Sequence, residues 1–207
     1  WAVLDEAIAR GVAKDVLTAH TDEVHWVEAL PGSEAFVSAG YDGRAILWEP
    51  PAFEPRVLIT AKRGRFHAAR PSPDGSLIAV GGDDGEAYVI ERSGHVVAEL
   101  AGHAGDVQHL AWSPDGTWLA TGDDHGHVRV WSRSGSRELV ATGDPIGVVT
   151  FSDDGSTLLA GDHAGALWVW ATRTWTARNL TVGDDVAGVW SDGTRIEAVD
   201  DDGGIHS

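Results

Sequence analysis

Short apolar runs with alternating character recur along the chain, separated by polar turns rich in Gly and Asp. The plainest example runs from Leu100 to Trp131, LAGHAGDVQHLAWSPDGTWLATGDDHGHVRVW. Asp106 to Trp112 alternate as a strand would. Ser113-Pro114-Asp115-Gly116 predicts a tight turn, because Pro presets one backbone angle and Gly accepts a positive one. Trp118 to Thr121 is a second strand, Asp123, Asp124 and Gly126 make a polar turn, and Val128 to Trp131 is a third strand with alternate side chains on opposite faces. Three short strands joined this way form a meander, which cannot bury its own faces and needs neighbours of the same kind.

Those neighbours are written along the whole chain. Pro73-Asp74-Gly75 precedes Leu77–Val80, Asp84-Gly85 and Tyr88–Ile90; Ser152–Gly155 precedes Leu158–Ala160, Gly165 and Leu167–Trp170. Pro31-Gly32-Ser33 precedes Phe36–Ser38, Asp42-Gly43 and Ile46–Trp48, and Ser191-Asp192-Gly193 precedes Ile196–Val199 and Asp202-Gly203. The closing strands end at Trp48, Ile90, Trp131 and Trp170, spacings of about 42, 41 and 39 residues, the period of a four-stranded propeller blade.

With the Gly102-His103 pair, the Asp-Gly turns and the Trp-ended strands, this period resembles the WD40-repeat family over essentially the whole length. The resemblance implies an all-β fold, a β-propeller of about five four-stranded antiparallel blades making one domain over residues 1–207. It also implies a hydrogen-bonded tetrad of His, Ser or Thr, turn Asp and strand-ending Trp in each blade. Carried over by position, the first repeat has His20, Ser38, Asp42 and Trp48. The third has His103, Thr121 and Trp131, with His125 where the turn Asp is expected. The second keeps Asp84 but has Lys62 and Ile90 in the other places; the fourth has Asp144 and Ala164 but keeps Trp170; the fifth has Asp184 and Asp202.

Four residues separate Gly43 from Trp48 and four follow Gly203, so Trp1 would complete the last blade if it lay beside Ser207. One expectation is therefore a five-blade ring in which the N-terminal strand at Trp1 completes the C-terminal blade, with Leu4 to Lys14 leading on to an outer strand near Asp15-Val16-Leu17. The other is a piece of a propeller with more blades, since seven is the commoner number in the family. The same question leaves oligomeric state open between a monomeric ring and blades pooled between chains. Leu4 to Lys14 has no clear alternation, and Pro50, Pro51 and Pro55 mark an outer loop where Pro costs no central ladder bond.

Composition narrows the chemistry. With 32 Asp and Glu against 15 Lys and Arg, the formal charge of −17 argues against nucleic acid and against an anionic membrane surface. Cys is absent, which excludes disulfides and thiolate metal sites. No signal peptide or long apolar span occurs, so a cytoplasmic location is expected. Two lysines, Lys14 and Lys62, among the basic residues suggest a GC-rich bacterial gene, and the lack of Met suggests a processed or excised piece of a longer protein.

His103, His125 and His127 with Asp123 and Asp124 have the residue types of a metal site, and Asp83-Asp84, Asp123-Asp124, Asp184-Asp185 and Asp200–Asp202 those of a calcium site. Bracing and solvated turns account for both, so no metal and no cofactor is expected. No nucleophile elbow or P-loop occurs. The expected function is a non-catalytic platform for a protein or peptide. The resemblance implies that a partner sits on the face around the channel, where the innermost strands begin, which by position places Glu23, His25, Arg63, Arg65, His67, Asp106, Gln108, Pro145 and Asp185 there. Arg63 and Arg65, with Lys62, form a basic sector in an acidic rim, predicting a ligand with a basic stretch and one acidic group. The alternatives are the sensing end of a larger bacterial signalling protein, an ATPase or kinase, and a propeller hydrolase or lyase using channel carboxylates. Of the ten tryptophans, Trp26, Trp112, Trp118, Trp168, Trp175 and Trp190 are expected to pack between blades, one or two of them serving as exposed anchors.

Overall fold

A computed structural model describes residues 17–183 and 185–206. Trp1, Leu4–Lys14, Asp184 and Ser207 lie outside the described residues, and with them the strand expected to close the ring. Within the described residues every regular element is a strand. The first blade is β1 (Val24–Ala29), β2 (Phe36–Gly40), β3 (Arg44–Glu49) and β4 (Glu54–Thr60). The second is β5 (Phe66–Pro71) to β8 (Val96–Ala101), with β6 (Leu77–Gly82) and β7 (Glu86–Glu91) between. The third is β9 (Val107–Trp112), β10 (Leu119–Asp123), β11 (His127–Ser132) and β12 (Gly135–Ala141). The fourth is β13 (Ile146–Phe151), β14 (Thr157–Asp162), β15 (Ala166–Ala171) and β16 (Thr176–Thr181). The fifth has three strands, β17 (Val186–Ser191), β18 (Ile196–Asp200) and the short β19 (Ile205–His206). All pairings are antiparallel between sequence neighbours, so each blade is a meander. Leu17 is not in a strand.

The turn between the first two strands of a blade is held by a repeated device. Gly75, Gly116 and Gly155 have φ of 67°, 68° and 69°, the left-handed region that Gly enters without a Cβ clash. The Asp just before each Gly accepts the N–H two residues on, at 3.0 Å from Ser76, 3.0 Å from Thr117 and 2.9 Å from Ser156. Buried Ser72, Ser113 and Ser152 donate to the same carboxylates at 2.6, 2.6 and 2.7 Å. Pro55 stands in the outermost strand β4 opposite Trp48, where the missing N–H breaks no central ladder.

The core lies between blades rather than within them. Val37, Leu47, Phe66 and Tyr88 join the first two blades; Val89, Val107 and Trp131 join the second and third. Val130, Ile146 and Trp170 join the third and fourth; Leu159, Val186 and Ala198 join the fourth and fifth. One repeated joint sets this spacing. The first residue of each later inner strand, Phe66, Val107, Ile146 and Val186, is fully buried. It enters a hollow left by a small residue of the preceding blade, Ala39, Gly81, Gly122 and Gly161 in turn. A Cβ at Gly81, Gly122 or Gly161 would lie 2.7, 2.7 or 2.4 Å from the entering side chain.

The inner strands therefore succeed one another in the order β1, β5, β9, β13, β17. Among the described residues no comparable packing joins β17 back to β1. Val24, which begins β1, is 45% exposed, and Val199 fills the position in β18 that Ala or Gly holds in the other four blades.

Candidate functional site

Two of the bracing networks form as hydrogen-bonded chains. Trp48 Nε1 donates to Ser38 Oγ at 2.8 Å, and His20 bonds Ser38 Oγ through Nε2 at 2.7 Å and Asp42 through Nδ1 at 2.9 Å. An ionised carboxylate only accepts, so Nδ1 carries the proton and the Ser hydroxyl donates to Nε2. The third blade repeats the chain: Trp131 Nε1 to Thr121 Oγ1 at 2.8 Å, His103 Nε2 to Thr121 at 2.6 Å, His103 Nδ1 to a carboxylate at 2.9 Å.

That carboxylate is Asp123, and this corrects the reading of His125 as the gap in the network. Asp123 stands two residues before the expected turn position. Its Oδ1 also accepts the backbone N–H of His125 at 3.1 Å and of His127 at 2.7 Å. Burial alone would raise this carboxyl, but the His103 and His127 contacts outweigh it and hold the group well below the usual carboxylate range. Asp162 accepts N–H groups of Ala164 and Ala166 in the same way, and Asp200 that of Gly204. In the second blade Asp84 takes the hydroxyl of Tyr88 at 2.6 Å instead of a His.

The rim where the inner strands begin is built from two residues per blade. The N–H groups of Tyr41, Asp83, Asp124, His163 and Asp201 donate to the carbonyls of Glu23, Arg65, Asp106, Pro145 and Asp185 at 2.8, 3.1, 3.2, 3.0 and 3.2 Å. Glu23, Arg65, Asp106, Pro145 and Asp185 are all sequence-expected rim residues, and the structure places them at one repeated position. Their partners Tyr41, Asp83, Asp124, His163 and Asp201 were not anticipated, because in sequence they read as ordinary turn residues.

Each blade junction gathers three repeated positions, and each junction has its own chemistry. At the first, His25 stacks on Tyr41 with centroids 5.0 Å apart and donates through Nδ1 to the His67 carbonyl at 2.8 Å, and Arg65 lies over the Tyr41 ring at 4.7 Å. At the second are His67, Asp83 and Asp106. His67 Nε2 is 2.5 Å from Asp83 Oδ1, and Arg65 donates to Asp83 Oδ2 through both its backbone N and Nε. Burial would raise the Asp83 carboxyl; the Arg65 and His67 hydrogen bonds bring it below its ordinary value. Asp106 goes the other way, pushed up by burial and then by the charges of Asp124 and Asp83. At the third stand Gln108, Asp124 and Pro145, and at the fourth His163 approaches Asp185 at 3.9 Å.

The expected basic sector is mostly answered by its own neighbours. Lys62 bridges Glu86 at 3.0 Å and Glu99 at 2.7 Å, and Arg65 is paired with Asp83 at 3.0 Å. Arg63 is exposed, and its charge contributes to holding Glu86 below the usual range after Lys62 and Tyr88. The net field of the rim is acidic. Deeper along the same strands, Arg70 lies over the Trp26 ring at 4.3 Å and pairs with Glu28 at 2.6 Å, while Trp112 donates to the Arg70 carbonyl at 3.0 Å. Trp26 and Trp112 thus lock neighbouring blades, as expected, and Trp190 is the exposed one at 46%.

His103, Asp123 and His127, one of the two metal-like sets in the sequence, are joined by internal hydrogen bonds. No helix among the described residues is long and apolar enough to cross a membrane. The model of the WD domain, G-beta repeat family matches residues 11–49 and 94–132, the first and third repeats, the two whose His–Asp bracing is complete. No curated protein matches the chain.

Proposed function

The chain belongs to the WD40-repeat family, and from that premise we propose that it is a non-catalytic scaffold whose blade-junction rim binds a protein or peptide with a basic stretch. WD40 repeats generally mediate contact between proteins. The observation that carries the reading is the rim itself: ten residues at two repeated positions, joined within each blade by the same backbone hydrogen bond, with side chains that differ at every junction. A rigid frame with variable side chains suits recognition, because little ordering entropy is spent on the protein side when a ligand docks. Among these side chains Glu23, Asp83, Asp106, Asp124, Asp185 and Asp201 are acidic and Arg65 is the one basic group, so a cationic segment is the complementary ligand. The acidic group first expected on the ligand has Arg63 as its remaining docking point.

A panel of fluorescent Lys- and Arg-rich peptides, with charge-matched acidic peptides beside it, tests this by anisotropy. Basic peptides should bind, weaken as salt rises, and weaken further with Asp124→Asn and Asp201→Asn. Binding that ignores these substitutions but responds to changes on the outermost strands would place recognition elsewhere.

A further inference from the structure

We propose that His67, Asp83 and Asp106 at the second blade junction form a binding site for a divalent first-row transition cation such as Zn2+. One ligand atom from each of the three lies within 4.8 Å of the other two, the one such gathering among the described residues. Bonds of about 2.1 Å in a tetrahedral site set ligand atoms about 3.4 Å apart, so small side-chain rotations close the cluster on an ion. Imidazole with two carboxylates is a donor set that suits zinc, cobalt or manganese rather than calcium.

The backbone already fixes the three positions. His67 is buried in β5. Asp83 has its Oδ2 held by the backbone and side chain of Arg65, which leaves Oδ1 toward His67. Asp106 has its N–H on Asp124 Oδ1 at 2.7 Å and its carbonyl on the Asp124 N–H at 3.2 Å. Its carboxylate, in contrast, accepts no hydrogen bond among the described residues and stands beside two further carboxylates. A cation between Asp106 and Asp83 answers that repulsion. Arg65 opposes it electrostatically, but it lies on the far oxygen of Asp83 and is about half exposed. The remaining junctions offer His25 with Tyr41 and Arg65, Gln108 with Asp124 and Pro145, and Gly147 with His163 and Asp185. A fourth coordination position would open toward the rim, available to water or to a side chain of a partner.

The proposal does not depend on the peptide-binding reading, since its test uses the metal alone. Chelator-treated, dialysed protein is titrated with Zn2+ by calorimetry, and with Co2+ followed by its visible absorption. One ion per chain is expected. Asp106→Asn should weaken binding by at least about tenfold with the far-ultraviolet circular dichroism unchanged, and His67→Gln should do the same. His206→Gln, which removes the exposed pair with Asp200, should leave affinity unaltered. The proposal falls if no saturable site appears, or if Asp106→Asn and His67→Gln bind as the parent does.

Discussion

Asp123→Ala should be the most damaging single carboxylate change in the chain. The side chains of Asp123 and His103 are both fully buried. Asp123 accepts from His103 Nδ1 at 2.9 Å, from the His127 N–H at 2.7 Å and from the His125 N–H at 3.1 Å. Truncation leaves these three donors, and the longer contacts from the Gly105 N–H and the His127 ring, without their acceptor, and each such group costs about 1–3 kcal/mol when desolvated. Hydrogen bonds to an ionised carboxylate lie at the strong end of that range while the turn N–H groups regain some solvent, so the loss is about 4 kcal/mol. That would consume a large share of the about 5–15 kcal/mol that stabilises an ordinary domain. Urea titrations followed by tryptophan fluorescence at neutral pH measure the loss. The pH dependence has a definite sign. The native carboxyl is held below its ordinary value of 3.8, so its contribution is complete above that value and lost as pH falls through the native one. The gap between parent and variant should be constant near neutrality and close only in acid. A loss under about 1 kcal/mol, or a gap already closing near pH 6, would refute the reasoning.

His109 is pushed down to about 4 by burial and then by Arg70, His163, His25 and His67. Its unfolded form binds a proton first, so stability should fall as pH drops from about 6.5 to about 4, by up to about 3 kcal/mol, and His109→Gln should flatten that limb in pH-dependent denaturation. Gly161→Ala drives a methyl to 2.4 Å from Val186 and should lower the melting temperature by loosening the fourth junction; Gly135→Ala has open space and no such clash, although its φ of 135° also carries strain. Thr121→Val and Trp131→Phe share one hydrogen bond, so a double-mutant cycle should return a coupling of about 1 kcal/mol, whereas full additivity would show that the relay from Trp131 to His103 is not continuous.

The repeat was legible because turn chemistry is local: Pro114-Asp115-Gly116 announces itself in three residues. The outermost strands were harder to read, since β16 is exposed along its length and one with both faces in solvent needs no apolar alternation. Asp123 was read as a turn residue and not as the bracing carboxylate for a geometric reason. Two residues' displacement along the chain still brings its carboxylate to His103, because the turn folds back over the strand end. The rim partners Tyr41, Asp83, Asp124 and His163 lie 18 residues from the carbonyls they bond, and nothing local signals such a contact. Charge pairing was equally invisible: Lys62 meets Glu99 only because β7 and β8 bring it within 2.7 Å. The count of basic residues overstated the basic sector for that reason.

The knob-and-hollow joint carries one half of each contact on each blade: the entering residue on the first strand and the hollow on the second. A blade is consequently interchangeable in the mechanical sense. Duplicating or deleting the third or fourth leaves each remaining joint there a β-branched side chain in a Gly hollow, and the series has a direction, from the unburied Val24 toward Val199. The same register that seats Val107 in the hollow at Gly81 brings His67 and Asp83 of one blade against Asp106 of the next. Rim chemistry therefore belongs to ordered pairs of blades rather than to single blades. Exchanging the third and fourth modules would keep the architecture while rewriting the junctions around them, a source of new recognition surfaces that requires no new core.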